Sequence, residues 1–443
     1  MDELEMFYGR RVLWPKVEER PAKGPDIVEL ATIEVGERMI HCHRCNAYTD
    51  KFTGTLPNNQ YYCPNCISLG RVSTLNYFYH VPEPNKFIVP DKVLSWQGQL
   101  SPLQRKTAET VKRNMDNHCH QLLWAVTGAG KTEMMFNAIA SALSRGERIA
   151  VASPRVDVCL ELYPRLQKAF TDFEIALLHG KESTSYAYRQ FTVCTTHQLL
   201  RFYHAFDNLI VDEVDSFPYA ANQSLLYATH QAIKPNGGLL FMTATPGKKL
   251  LTEIKKKRLK VSYLPLRYHG NLLPRINLRL AFNWRKKLLA GKLPADLLRA
   301  IQKSNNNHYR CLLFVPHVAD LEPVAQCLRR QLPKLKFATV HAEDEQRLEK
   351  IQKMRKGIFD LLVTTTILER GVTFPEIDVY GIGVDEEIFS SSALVQIAGR
   401  AGRANSRPTG DVIFWAGVYT KTIREAQRQI DFMNHKGRRL KDE

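Results

Sequence analysis

The nine residues AVTGAGKTE (125–133) restrict the fold of this chain more than any other feature. They follow an apolar run, QLLWAV (121–126), and lead into KTEMMFNAIASALSR (131–145), which has helical periodicity with Gly146 behind it as a stop. A small-residue loop between a strand and a helix is a phosphate cradle. Its backbone curls so that several N–H groups and the positive helix end face one anion. Thr127, Gly128, Ala129 and Gly130 form the cradle. Lys131 would reach the β and γ phosphates, and the Thr132 hydroxyl would ligate Mg²⁺. The full pattern has Gly where this chain has Ala125. The bland alternative is a chance G-x-G-K-T loop, which the strand–loop–helix context disfavours.

Further apolar runs follow: RIAVAS (148–153), FTVCTT (191–196), NLIVDE (208–213) and LLFMTA (239–244). They are apolar throughout rather than alternating, which suits strands buried on both faces of a parallel sheet. The pattern then restarts with CLLFVP (311–316), KFATVH (336–341), DLLVTT (360–365), VYGIGV (379–384) and DVIFWA (411–416). Helical stretches such as VADLEPVAQCLRRQL (318–332) separate them. The expectation is an α/β chain with two parallel-sheet domains, 88–265 and 266–443, behind an N-terminal region, 1–87. The segment VPEPNKFIVPDK (81–92) carries three prolines and reads as a linker. The run IKKKRLK (254–260) reads as solvated surface at least as readily as a nucleic-acid contact.

VDEVD (211–215) ends the NLIV strand. Carboxylates at the C-terminal end of a parallel strand face the same crevice as the phosphate loop. Asp212 is placed to hold Mg²⁺ and Glu213 to orient and deprotonate an attacking water. An acidic turn that merely caps a helix is the alternative.

Charge narrows the partner. Lys and Arg number 62 against 45 Asp and Glu, a formal net charge of +17. Such an excess favours a polyanion, nucleic acid before an anionic membrane surface. The N-terminus, MDELEMFYGRR, is acidic and leads into no apolar stretch, and no run is long enough to span a bilayer. A cytosolic chain is therefore expected. Of nine cysteines, five are scattered, and several of those lie in apolar runs, unlike a disulfide framework. The other four form Cys42-x₂-Cys45 and, after 17 residues, Cys63-x₂-Cys66. That spacing fits one tetrahedral zinc ion with a closed thiolate shell. It would staple a region too small to build much core alone. His41 and His43 flank the first pair as weaker ligand candidates. An iron–sulfur cluster and a redox pair are the competing readings.

With the phosphate loop and DEVD in place, further blocks stand in a known order: SPRVD (153–157), TTHQLL (195–200), TATP (243–246), LLFVP (312–316), TTTILERGVTFPEID (364–378) and QIAGRAGR (396–403). Over roughly residues 97–416 the chain resembles superfamily 2 helicases and translocases. The resemblance implies two RecA-like domains with ATP in the cleft between them and a single strand crossing both. It implies that Gln104, in QLSPLQ (99–104), reads adenine; an ordinary helix start capped by Ser101 is compatible with that. Arg400 and Arg403 would act on the γ-phosphate, three apart on one helical face. Thr243 and Thr245 would couple nucleotide state to strand grip, and Arg155, Thr196 and Thr364 or Thr365 would contact the strand backbone. Related proteins often carry Asp two residues after the RG glycine, where this chain has Thr373; Arg370 and Gly371 still match.

With the zinc module joined to a short core, the chain resembles the ComFA-type family of late-competence ATPases over about residues 37–443. That resemblance implies ATP-driven movement on single-stranded DNA, drawing it through a membrane channel. The implied partners are a ComEC-type channel and a ComFC-type protein, at a cytoplasmic location peripheral to the inner face of the cell membrane. A homo-oligomer is compatible with it. The alternatives are a PriA-like replication-restart DNA helicase, an RNA helicase, or a non-enzymatic zinc scaffold.

Overall fold

The computed structural model describes residues 4–21, 26–180, 186–370, 372 and 374–442. They divide into two compact units. The first comprises residues 1–124 and 131–263, and the second comprises 125–130 and 264–443.

The first unit is built on a seven-stranded sheet. Its order is Ile175–Leu178, Phe191–Thr195, Ile149–Ser153, Phe206–Val211, Ile233–Thr243, His120–Ala125 and Lys260–Leu264. The first six pair in parallel. Every residue of Ile149–Ser153 and Phe191–Thr195 is buried, as their unbroken apolar pattern requires. The helix Lys131–Ser144 buries Met134, Met135, Ile139 and Leu143. Behind it Gly146 takes a left-handed φ of 73°, and its N–H bonds the Leu143 carbonyl. That conformation is cheap only for glycine, so the helix stops where the sequence says.

The N-terminal region packs small antiparallel sheets. Asn76–His80 lies between Val12–Pro15 and Val28–Ala31. Ile33–Val35, Met39–Cys42 and Tyr48–Asp50 form a second sheet. The segment read as a linker has no regular structure, but it is not a free tether. The Glu83 carboxylate is fully buried and meets the equally buried Arg148 guanidinium at 2.5 Å. It also accepts from the Tyr188 hydroxyl. Arg148 further donates to the Tyr186 oxygen at 2.6 Å and to the Tyr8 carbonyl at 3.2 Å. Asn85 bonds Asp207 and Lys234, both at 3.0 Å. The prolines keep this segment out of helix and sheet, while its polar residues anchor it to the seven-stranded sheet.

The second unit carries a six-stranded parallel sheet. Its order is Asn277–Leu280, Val412–Ala416, Ile377–Ile382, Arg310–Phe314, Leu361–Thr364 and Phe337–Val340. Leu297, Ile301, Val324 and Leu328 of two helices pack on it with Tyr380 and Trp415. Trp415 satisfies its indole N–H on Asp296 at 2.9 Å. The run 254–260 straddles the end of the helix Lys248–Lys255, and residues 255–258 are exposed. All ten apolar runs singled out in the sequence are strands. Gly371 and Thr373 lie outside the described residues.

Candidate active site and metal centre

In the first unit, the strand Phe206–Val211 delivers its acidic turn beside the start of the helix Lys131–Ser144. Lys131 Nζ donates to Asp212 Oδ1 at 2.9 Å. Burial alone would lower the lysine pKa. The carboxylates of Asp212, Glu213 and Asp215 outweigh it and hold the ammonium above its ordinary value. Asp212 Oδ1 also accepts the Glu213 N–H at 2.8 Å. Glu213 sits at a φ of 55°, a strained region for a non-glycine residue and typical of sites where geometry outranks comfort.

Asp215, given no role in the sequence reading, turns out to hold the TATP segment. Its carboxylate accepts the Thr243 hydroxyl at 2.6 Å and the Thr245 hydroxyl through its other oxygen. The Thr245 N–H returns to Thr243 Oγ1 at 2.9 Å. Four consecutive residues thus touch both the phosphate lysine and the two threonines. The sequence signal was present, since Asp215 closes VDEVD, but nothing in the spacing says that it faces a loop 28 residues away.

Gln104 is buried and completes a capping box at Pro102–Asp116. Its side-chain carbonyl accepts the Ser101 N–H at 2.9 Å. Arg155 forms a two-pronged pair with Asp157, at 3.1 and 2.8 Å. Two of the residues expected to grip a strand lie inside the protein instead. Thr196 is fully buried, and Thr364 is buried with its hydroxyl on the Val340 carbonyl at 3.0 Å. Thr196 follows the wholly buried strand Phe191–Thr195 and Thr364 ends the wholly buried strand Leu361–Thr364, so the threonines belong to the sheet interior. Thr365 is half-buried.

In the second unit, the loop 125–130 turns on Gly128 and Gly130, at φ of 76° and 72°. Thr132, just beyond it, is buried at the helix start. The helix Ser391–Ala398 ends before the arginines, so Arg400 and Arg403 lie on a turn rather than on one helical face. Gly399 caps that helix, and a Cβ there would collide with the Thr127 side chain, whose hydroxyl bonds the Gly399 carbonyl at 3.4 Å. Arg400 is buried and donates through Nε to the Glu369 carbonyl at 3.1 Å. Arg403 donates to the Gly399 carbonyl, also at 3.1 Å. Arg370 is buried and reaches the Ser392 hydroxyl at 3.1 Å.

Arg267, which no motif marks, splints the turn. It is buried and donates to the carbonyls of Gly399 at 3.1 Å, Ala401 at 2.5 Å and Gly402. Burial, and then the nearby Arg403, pull its guanidinium down to about 9. The next residue, Tyr268, gives its N–H to the Gly128 carbonyl at 3.0 Å.

The four cysteine sulfurs converge in a buried cluster. Cys42 and Cys66 are 3.8 Å apart and Cys45 and Cys63 are 3.6 Å apart. A zinc–sulfur bond of about 2.3 Å places the corners of a tetrahedron about 3.8 Å apart, so the cluster has the size of a zinc shell. No disulfide links any described cysteine. His41 turns away, bonding Asn46 at 2.7 Å and stacking on Tyr48 at 4.3 Å. No helix among the described residues is long and apolar enough to cross a membrane.

Residues 97–248 match the family described as type III restriction enzyme, res subunit, and residues 292–405 match the helicase conserved C-terminal domain. The fold is similar to that of Saccharomyces cerevisiae Dbp5 bound to RNA and ADP BeF3, with a TM-score of 0.51 at 15% identity over 75% of this chain and 91% of that one. Two RecA-like sheets with these two family matches define a superfamily 2 helicase-type, nucleic-acid-dependent ATPase. The chain is 41% identical over 397 residues to competence protein ComFA of Streptococcus pneumoniae, covering 89% of this chain and 90% of that protein. It is 40% identical over 406 residues to competence protein ComFA of Bacillus subtilis, covering 91% and 87%. The chain belongs to the ComFA family of competence proteins.

Proposed function

We propose that the chain is an ATP-driven translocase on single-stranded DNA that draws transforming DNA across the cytoplasmic membrane. The observation that carries this reading is the DEVD turn, which pairs with Lys131 through Asp212 and with Thr243 and Thr245 through Asp215. A turn bonded both to a phosphate-binding lysine and to the TATP segment supports coupling of hydrolysis to strand grip.

In this reading residues 88–265 and 266–443 are the two motor domains and 1–87 carries the zinc module. ATP would be held by the backbone of Thr127, Gly128, Ala129 and Gly130, by Lys131, and at its base by Gln104. The Thr132 hydroxyl and the Asp212 carboxylate are hard oxygen donors that would hold Mg²⁺, which would supply positive charge against the negative charge developing in phosphoryl transfer. Lys131 leaves Asp212 for the phosphates. Glu213 takes the proton of the attacking water, and Arg400 and Arg403 stabilise the transferring phosphoryl group. Cys42, Cys45, Cys63 and Cys66 would bind a structural zinc ion. Single-stranded DNA is the track, with a ComEC-type channel and a ComFC-type protein as partners at the inner face of the cell membrane. A homo-oligomer is compatible with this arrangement.

The test is ATP turnover against oligonucleotide length, strandedness and salt. Turnover should rise with long single strands and hardly at all with blunt duplex. Lys131→Ala and Glu213→Gln should both abolish it, and only Glu213→Gln should keep nucleotide binding. Equal stimulation by duplex, or none by any DNA, would overturn the reading.

A further inference from the structure

The C-terminal helix, Lys421–Asp442, divides sharply into two faces. At about 3.6 residues per turn, Ile423, Ala426, Ile430, Met433 and Gly437 fall on one side, and all five are buried. Gly437 lies close against Leu266 and Leu272, and Asn434 bonds the Leu273 backbone at 2.9 and 3.0 Å. The opposite side presents Lys421, Arg424, Arg428, Arg438 and Arg439, every one exposed. At about 100° per residue Lys421, Arg424, Arg428 and Arg439 share one line of roughly 27 Å, at about 1.5 Å of rise per residue, and Arg438 stands at its edge. Among the described residues, none of these five pairs with a carboxylate. Of the acidic groups of the helix, Glu425 and Asp431 flank the line and Asp442 ends it, and Asp431 is tied to Arg275 at 3.5 Å.

Helix stability does not explain this placement. The first turn holds no acidic residue, and Lys421 and Arg424 stand at the positive end of the helix dipole, where cations are unfavourable. Arg424 and Arg428 are like charges four apart, which also destabilises. Only Arg438 and Arg439 sit where the dipole welcomes them. The charges therefore fit a partner rather than the helix. A bilayer is the poorer partner. A helix lying on a membrane immerses its apolar face, and here that face is spent on the unit's own core. Phe432, 41% exposed midway along the line, carries the Lys436 ammonium 5.2 Å from its ring centroid, which adds a cation beside the row.

We infer that this face is a second binding surface for the phosphate backbone of single-stranded nucleic acid, outside the motif-bearing loops. The inference rests on the proposed strand-translocating function and adds an anchor to it. Such an anchor would keep the strand bound while the motor loops release and regrip.

The experiment replaces Lys421, Arg424, Arg428 and Arg439 with Gln in the full chain and measures affinity for a long oligothymidine over a range of salt. Four lost phosphate contacts, at about 0.7 each for a single strand, should lower the slope of log affinity against log salt by about 3. Affinity at low salt should fall at least tenfold, while basal ATPase without nucleic acid stays unchanged and the melting temperature does not fall. Should that variant fold poorly, Arg424→Gln with Arg428→Gln should lower the slope by about 1.4, and the matching Arg→Lys pair should restore it. An unchanged slope with wild-type affinity overturns this inference alone. A wild-type chain that binds no single strand overturns the proposed function with it. Loss of binding to anionic phosphatidylglycerol vesicles, with oligothymidine binding intact, assigns the face to lipid and also overturns it.

Discussion

His80 is a residue whose charging the fold opposes. It is buried at the end of Asn76–His80, its Nδ1–H donates to the Arg10 carbonyl at 3.2 Å, and burial pulls its pKa from the usual 6.5 down to about 4. Between those values the unfolded chain binds the proton and the folded chain does not. Stability therefore rises with pH across that window and is lost as pH falls through it. The contribution is up to about 3 kcal/mol at neutral pH. Denaturant midpoints at pH 7 and pH 5 should differ less for His80→Phe than for the unsubstituted chain, and an equal difference would exclude His80 as the source. Nothing in the sequence around His80 advertises this, because burial is set by strands distant in the chain. The same holds for Arg267, whose partners are three carbonyls more than 130 residues away. Lys131 and Asp212 were legible because strand ends carry local patterns; their pairing at 2.9 Å follows from the parallel sheet that those patterns imply.

At the scale of elements, strands buried on both faces were read correctly because they are apolar at every position. In the two large sheets three were not anticipated, Ile175–Leu178, Lys260–Leu264 and Asn277–Leu280, and neither were the short strands of the N-terminal region. Those three are sheet edges, and Lys260–Leu264 and Asn277–Leu280 mix a charge with apolar residues, while Ile175–Leu178 is only four residues long. The zinc knuckles show the opposite case, a short pattern that dictates geometry. Met39–Cys42 leads into the first pair, and the 3₁₀ turn Pro64–Leu69 carries Cys66. Replacing Cys63 and Cys66 with Ser should remove about one zinc per chain by elemental analysis. It should also expose residues 37–70 to protease while ATPase survives in part. Iron in place of zinc, or no metal in a reduced preparation, would sink the assignment.

Across the first unit, the N-terminal region and the seven-stranded sheet are tied by charge as well as by packing. Arg148 and Glu83 are buried together, and Arg148 also takes two tyrosines of the sheet's flank, Tyr186 by its hydroxyl and Tyr188 by its ring. Arg11 donates to the carbonyl of His43, beside Cys42, and to Gln231 of the helix Gln223–Ala232. Arg148→Ala would strand a buried carboxylate, at a cost of about 3–5 kcal/mol. Thermal unfolding and limited proteolysis should show both parts loosening together; early release of residues 1–87 from an intact sheet would contradict the tie. The sequence could not display it, since the prolines of 81–92 are read more readily than one glutamate between them.

The Glu83–Arg148 pair bears on how the protein can be dissected. A fragment begun at residue 88 retains every helicase block yet discards Glu83 and the Tyr8 carbonyl, leaving a guanidinium in an apolar hole with half its acceptors gone. The shortest piece that contains the ATPase blocks is therefore shorter than the shortest piece that is stable. Gene fragments trimmed to the helicase blocks would yield insoluble protein for reasons unrelated to catalysis. Insertions or tags are better carried by the exposed run 255–258, where no such acceptor is lost.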